Sequence, residues 1–457
     1  MASWRVPLTL MGLALAILAC ATIATAGPDP PHVDGGSTTF AGDWTVDPLD
    51  DLLYVNQTIV LDGDLTVDEN GTLELRNCTL VMNSTSDGQY SIEVRANGSL
   101  RSLQGTTVTC RVENGDLGPR FMWTVRASGR VVLDGSRLVG AGWDAGHPGL
   151  VLEGGGSVLE RSSLEHCYRA LTALGGSSGV ENLTVSNCTE GILWRGSSST
   201  LANVSCLDCT YAGIVLEGCD QVTVADMMAR RCGEGLRVAA NATGVVVLGA
   251  DVALATIGIN CSSDGALVER LTAQDCDVGL RLSGDDSGAT GVTVRLSGAS
   301  PRATAGVLVT DGAQRVRLEN LDISGPDDAV LVLGDCSGLR VLVLRVRSAV
   351  DGALALDASP SRASDVRLER LTLAVAGASY GVLVRSVDAL TIDTADILGP
   401  PSYAIDLLDC ADAVLSSVQA TASQRVVSVD GSGVHRNVTV TGCDLEGGEY
   451  GLWAEDL

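Results

Sequence analysis

The sequence predicts an all-β solenoid, a long coil of short strands, and three observations carry that prediction. A small residue followed by alternating apolar residues recurs at Gly149, Ala170, Gly191, Gly213, Gly235, Gly258, Gly279, Gly306, Ala329, Gly352, Gly381, Ala404 and Gly451, with a degenerate copy at Arg425. The chain holds 54 glycines and only 3% aromatic residues, so its apolar material is small and β-branched, which suits thin stacked layers better than one thick centre. No unit shows a helical period: "GIVLEG", "GLRLSG" and "GVLVRS" alternate with period two and then turn at Gly, Ser or Asp.

Taken in order, the chain opens with Arg5, the apolar run "VPLTLMGLALAILACATIATA" and the small-x-small site Ala24-Thr25-Ala26. This reads as a signal peptide over residues 1–26, making the mature protein secreted or cell-surface; "ILAC" offers lipidation at Cys20 as the minor alternative. No later stretch has the length of a membrane span. Residues 27–51, with Pro28, Pro30, Pro31 and Gly35-Gly36, read as a linker and N-terminal cap. Residues 52–148 give about four irregular coils and 149–457 about thirteen regular ones, so roughly 17 coils of about 22 residues are expected. The last strand begins at "GLWAEDL". A bare β-edge there points to end-to-end association or a missing C-terminal region.

Inside each unit, apolar positions such as Val180, Leu183 and Val185 are offset by three, which marks a corner between two strands. The polar residue at that corner is Asn182, Asn203, Asp226, Asn320 or Asn437. Strands meeting at such corners describe a coil wound about a long axis, each turn stacking on the next at about 4.8 Å. Cys167, Cys188, Cys209, Cys232 and Cys276 fall in one lane of this coil, joined later by Cys443. In-register side chains form a line, and no His shares it, so the lane is a poor metal cage. Stacked Cβ vectors also disfavour the disulfide torsion. Buried thiols acting as small hydrophobes explain the lane more simply.

These repeats resemble the right-handed parallel β-helix proteins of the pectate-lyase-like superfold, and "GTLELRNCTLVMN", "YSIEVRANGSLRS" and "GRVVLDGSRLVGAGW" resemble the secreted archaeal and bacterial surface type. The resemblance runs from about residue 52 to the end and implies the fold; one fold hosts many functions. It also implies a test for enzymes. "SGPDDAVLVLGDC" resembles the paired-aspartate coil of polygalacturonase-type hydrolases at Asp327 and Asp328. The following coil reads "VDGALALDAS", without the His-Gly element of that family.

The position before each opening small residue holds Glu190, Glu234, Asp328, Asp351, Tyr380, Tyr403 and Tyr450. Carboxylates beside tyrosines suit a glycan, whose hydroxyls take acceptors and whose faces take rings. Glu190, Glu234, Tyr380, Tyr403 and Tyr450 are therefore the candidate glycan-binding residues. Asp327, Asp328 and Asp351 are the catalytic candidates if the protein is a polysaccharide lyase or glycoside hydrolase. The other reading is a structural, adhesive surface protein without enzymatic activity. Sequons at Asn56, Asn70, Asn77, Asn83, Asn97 and Asn187 are candidates for N-glycosylation. All 30 basic residues are Arg against 56 acids, a net charge of −26, which argues against nucleic acid as a partner and excludes Lys-based catalysis; a polysaccharide or cell-surface glycan as partner rests on the carboxylate and tyrosine lane. No cofactor or metal is expected; the acidic pair Asp285-Asp286 is as consistent with a loop as with loose Ca²⁺ binding.

Overall fold

The computed structural model describes residues 29–113, 116–296, 304–310, 312–431 and 437–455. The leader read at 1–26, with Cys20, lies outside them. Among the described residues the chain is strands and turns without a helix. They wind as a parallel β-solenoid of about 18 turns spaced about 23 residues apart.

One turn illustrates the path. Glu190–Trp194 lies in the first sheet, and Ser199–Ala202 crosses into the second. Asn203, at φ 51°, turns the chain into Ser205–Leu207 of the third. Asp208, at φ 57°, then turns it toward Ala212–Leu216, which pairs in parallel with the strand where the turn began. Asn and Asp tolerate the left-handed region better than other non-glycine residues, so they punctuate the corners. In Val222–Arg230 the second and third sheets share one bent strand, with Asp226 at φ 50° as its corner, and most later rungs follow, Gly288–Thr290 with Thr293–Arg295 and Val438–Thr441 with Asp444–Gly447 being split. Of the predicted corner residues, Asn182, Asn203, Asp226 and Asn320 have positive φ, whereas Asn437 lies ahead of Val438–Thr441 and Gly442, at φ 62°, turns that rung. At the same corner earlier in the chain, the Asn77 amide donates to the Asn56 Oδ1 at 2.8 Å, a two-step asparagine ladder.

The first sheet has 18 strands, from Trp44–Val46 to Tyr450–Glu455. Its first strand, and Ser37–Ala41 of the third sheet, fall inside the segment read as linker and cap. That rung accounts for the step from 17 coils to 18. Inward positions stack in register through the axis: Leu201 on Val224, Val224 on Val247, and Val247 on Val268, each at most 1% exposed. Each such side chain contributes about 1.5–3 kcal/mol on burial.

Among the described residues thirteen cysteines are free thiols, all buried except the half-buried Cys443. The pairings Glu165 with Ser186, Ser186 with Leu207 and Leu207 with Arg230 put Cys167, Cys188, Cys209 and Cys232 in one stack, two residues beyond each. Cys443 does not return to that stack. It follows the corner glycine Gly442 between the second and third sheets, and the pairings around it set it opposite Val418. The two corners look alike locally, both being a positive-φ residue followed by a small apolar one, and only register across rungs separates them.

Candidate functional site

The first sheet turns one face to the core and the other outward. Its central outward positions, Thr124, Val151, Thr172, Leu193, Val215 and Arg237, pair rung to rung in register. They form the floor of a groove of about 720 Å³. Such volumes suit small ligands or short polymer segments. The loop residues Ala145, Gly146 and Pro148 wall one side. That loop is held by Trp143, which stacks on His147 at 4.3 Å and lies over Gly88, where an added Cβ would come within 2.5 Å of the indole.

Each guanidinium in the groove meets a carboxylate. Arg126 reaches Glu93 at 2.6 Å and Glu153 at 2.8 Å, and Arg195 reaches Glu217 at 2.8 Å. Arg169 pairs with Glu190 and Arg237 with Glu234. The hydrogen bonds and charges of Arg126 and Arg95 outweigh burial and hold the Glu93 carboxyl below its usual range. The groove is therefore polar at its rims, mixes Val151, Leu193 and Val215 with Thr124, Thr172 and Arg237 along its floor, and is close to neutral. One floor atom has no partner: the hydroxyl of Thr172, a residue 3% exposed, makes no hydrogen bond. Two rungs beyond Val215 on the same lane, the Asn260 Oδ1 is likewise buried and unpartnered, while its amide donates to Glu234. Buried polar atoms are rarely left so.

The candidate residues divide between this groove and the later rungs. Glu190 lines the groove, and Glu234 holds Arg237 at its end. Their lane continues through Ile257, Val278 and Ala305 before reaching Asp328, so it is interrupted. Asp351 is not in it. Gly352 pairs with both Asp328 and Tyr380, leaving Asp351 one residue outside the register. Position 352 has no room for a side chain: the Tyr380 ring lies across it, where a Cβ would come 1.9 Å from its Cε2. Tyr380 spans that gap and donates its hydroxyl to the Asp328 Oδ1, two rungs back.

Asp327, Asp328 and Asp351 are nonetheless brought together. The Asp351 amide donates to the Asp327 carbonyl at 2.9 Å. Burial pushes the Asp328 carboxyl above its ordinary value; the bond from Tyr380 opposes this, and the charges of Asp351 and Asp327 add to it. Burial and the Asp328 acceptor push the Tyr380 hydroxyl up as well. Further along, Arg425 lies 5.9 Å from the Tyr403 ring and 4.4 Å from the Trp453 ring, and Tyr450 meets Trp453 edge-on at 4.7 Å. This is an aromatic and cationic cluster, in which sequence reasoning missed Arg425 and Trp453.

Of the candidate sequons, Asn56 donates its amide to Asp34 and Asn83 to Asp62, and Asn77 is in the ladder. Asn70 and Asn97 sit at positive-φ turns before Gly71 and Gly98, and Asn187 at the second corner. Asp286 is held by Arg315 at 2.5 Å, and Asp285 accepts the Gln314 amide at 2.9 Å. Among the described residues no group of three or more His, Cys, Asp or Glu is placed to hold a metal ion, and no helix is long and apolar enough to cross a membrane.

The stacked parallel sheets define a solenoid, and comparison with known proteins specifies which. Residues 124–266, which include all of the groove's lining except Met122, match the family model described as "Right handed beta helix region", and the chain has the right-handed parallel β-helix fold. The tailspike protein of E. coli bacteriophage HK620, solved with a hexasaccharide, is 14% identical over 83% of this chain and 71% of its own, with TM-score 0.35. The Streptococcus pneumoniae surface protein and adhesin PfbA is 10% identical over 86% and 91%, with TM-score 0.31. The catalytic domain of a GH87 α-1,3-glucanase, solved with tetrasaccharides, is 10% identical over 92% and 61%, with TM-score 0.23. At such identities the likeness concerns the fold alone. No curated protein matches the chain.

Proposed function

We propose that this protein is an exported β-helix that binds a neutral glycan in the groove on the outer face of its first sheet, in a structural or adhesive role. The observation that carries the reading is the groove's composition: an in-register floor containing Val151, Leu193 and Val215 beside the unpartnered Thr172 hydroxyl, rimmed by Arg–Glu pairs. Sugar faces pack on apolar side chains, and sugar hydroxyls bond to fixed donors and acceptors. Because every groove guanidinium is already neutralised, an uncharged sugar loses least on entry. Binding to a panel of neutral oligosaccharides, measured by calorimetry, tests this. Leu193→Asp, which sets a charge in the floor, is expected to weaken binding by about tenfold or more, and Thr172→Val by several-fold with the fold intact. Unchanged affinity in both variants would remove the groove from consideration.

A second reading is favoured by Asp328. A carboxyl whose hold on its proton is strengthened by burial, with two further carboxyls beside it, is the arrangement a glycosidase uses for its acid. Reducing-end release from polysaccharides, lost in Asp328→Asn, would establish cleavage; no release from any substrate would leave a binder.

A further inference from the structure

The outer face of the second and third sheets carries a charge pattern unlike the rest of the molecule. Four adjacent rungs, Thr293–Arg295, Arg317–Ser324, Arg340–Ser348 and Ala363–Ala374, hold seven arginines against the four carboxylates of Glu319, Asp322, Asp365 and Glu369. Arg317, Arg340 and Arg367 pair directly across the rungs. Like charges set opposite one another in a sheet are destabilising. Arg317 is relieved by Glu319 and Arg367 by Asp365, whereas Arg340 has no carboxylate partner. Arg345 and Arg370 are in the same state. All three are exposed.

This excess stands out in a chain of net charge −26, where the groove arginines are all paired. Asp322 shows the effect locally. A register shift after Ile323 lets Arg347 reach back to it at 2.6 Å, and Arg345 and Arg295 add their charge. Together they hold the Asp322 carboxyl below the usual range, the bond from Arg347 first. One carboxylate cannot neutralise three guanidiniums. The field ends on the next rung, where Asp393 and Asp396 come opposite Glu369 and Thr372.

We propose that this face binds a segment of acidic polysaccharide, its carboxylate or sulfate groups seated against Arg340, Arg345, Arg370 and Arg295. The unpaired charges are spread over four rungs, roughly 14 Å at the strand spacing, so a single small anion would satisfy only one or two of them. A polymer carrying several anionic groups over that span reaches all four, of which Arg340 and Arg345 share one rung. Duplex DNA, with a charge every ~1.7 Å of axis, does not match the ladder and is repelled most by the remainder of the chain. No aromatic side chain lies on these strands for a base to stack on. The proposal is independent of the groove, which lies on another sheet and takes an uncharged sugar.

The test is binding of the full chain to heparin, polygalacturonate, dextran and duplex DNA at 50 mM and 300 mM NaCl, with circular dichroism as the fold control. Heparin or polygalacturonate is expected to bind at low salt, the better of the two identifying sulfate or carboxylate as the recognised group. Arg340→Gln/Arg345→Gln is expected to weaken that binding by about tenfold or more. Arg130→Gln, which removes an exposed arginine from distant rungs, is expected to leave it unchanged. Absence of binding to both acidic polymers, tighter binding to DNA, or equal losses in Arg130→Gln and the double variant would each overturn the proposal.

Discussion

Tyr380 is drawn over Gly352 because no Cβ stands beneath its ring, and its hydroxyl then meets a carboxyl that burial has already made reluctant to ionise. The raised value has a consequence for stability. A carboxyl that holds its proton more tightly folded than unfolded contributes its stabilisation fully below the unfolded pKa and loses it as pH rises through the folded one. The fold is therefore less stable at neutral pH, where Asp328 must give up its proton, than below the ordinary value of 3.8, where the full contribution is present. Asp328→Asn keeps an oxygen for Tyr380 and removes the charge. Its thermal midpoint is expected to exceed that of the parent at pH 7, with the difference closing as pH falls toward 3.5. A variant less stable than the parent at pH 7 would mean that the charged bond to Tyr380 outweighs the burial and the repulsion from Asp351 and Asp327.

Individual rungs repeat one solution, and the thiol stack shows how tightly they close. Cys167, Cys188, Cys209 and Cys232 are at most 4% exposed, and burial pushes other lane members such as Cys276 up to about 11. Within the stack the contact from Cys167 holds the Cys188 thiol, and that from Cys209 the Cys232 thiol, below the ordinary value, so inaccessibility and not ionisation decides: a thiol that a reagent cannot reach does not react. Labelling of the folded chain with a small thiol reagent at pH 8 is therefore expected to modify Cys443 alone among the described cysteines, and labelling in denaturant to modify all of them. Rapid reaction of the stack in the folded state would show that rungs 167–232 open. The rung was legible in the sequence because its signals are local: apolar alternation, a small residue at the strand's start, Asn or Asp at the corner. Corners at Arg161, Arg270, Val343 and Thr394 also have positive φ, yet nothing in those side chains announces it; the neighbouring rungs impose it. The groove was legible only at Glu190 and Glu234. Its floor depends on which outward residues fall in register, and a one-residue slip such as that at Asp351 reverses the assignment.

Over the whole molecule, short-range and long-range electrostatics oppose each other. Arginine–carboxylate contacts such as Arg195–Glu217 and Arg347–Asp322, at 2.8 and 2.6 Å, bind rungs together, while a net charge of −26 repels along the solenoid. Salt separates the two by range. The screening length falls from about 30 Å at 0.01 M to about 10 Å at 0.1 M, still far beyond the length of a contact pair. Added salt in that range therefore removes mostly the repulsion, and exposed pairs have little to lose, at about 0–1 kcal/mol each. Raising NaCl from 10 mM to 200 mM is expected to raise the thermal midpoint by a few degrees. The gain should level off near 1 M, where the screening length of about 3 Å reaches the pairs themselves. A midpoint that instead falls from the first addition of salt would show that the ladders of paired arginines, and not the stacked aliphatic core, set the stability of the coil.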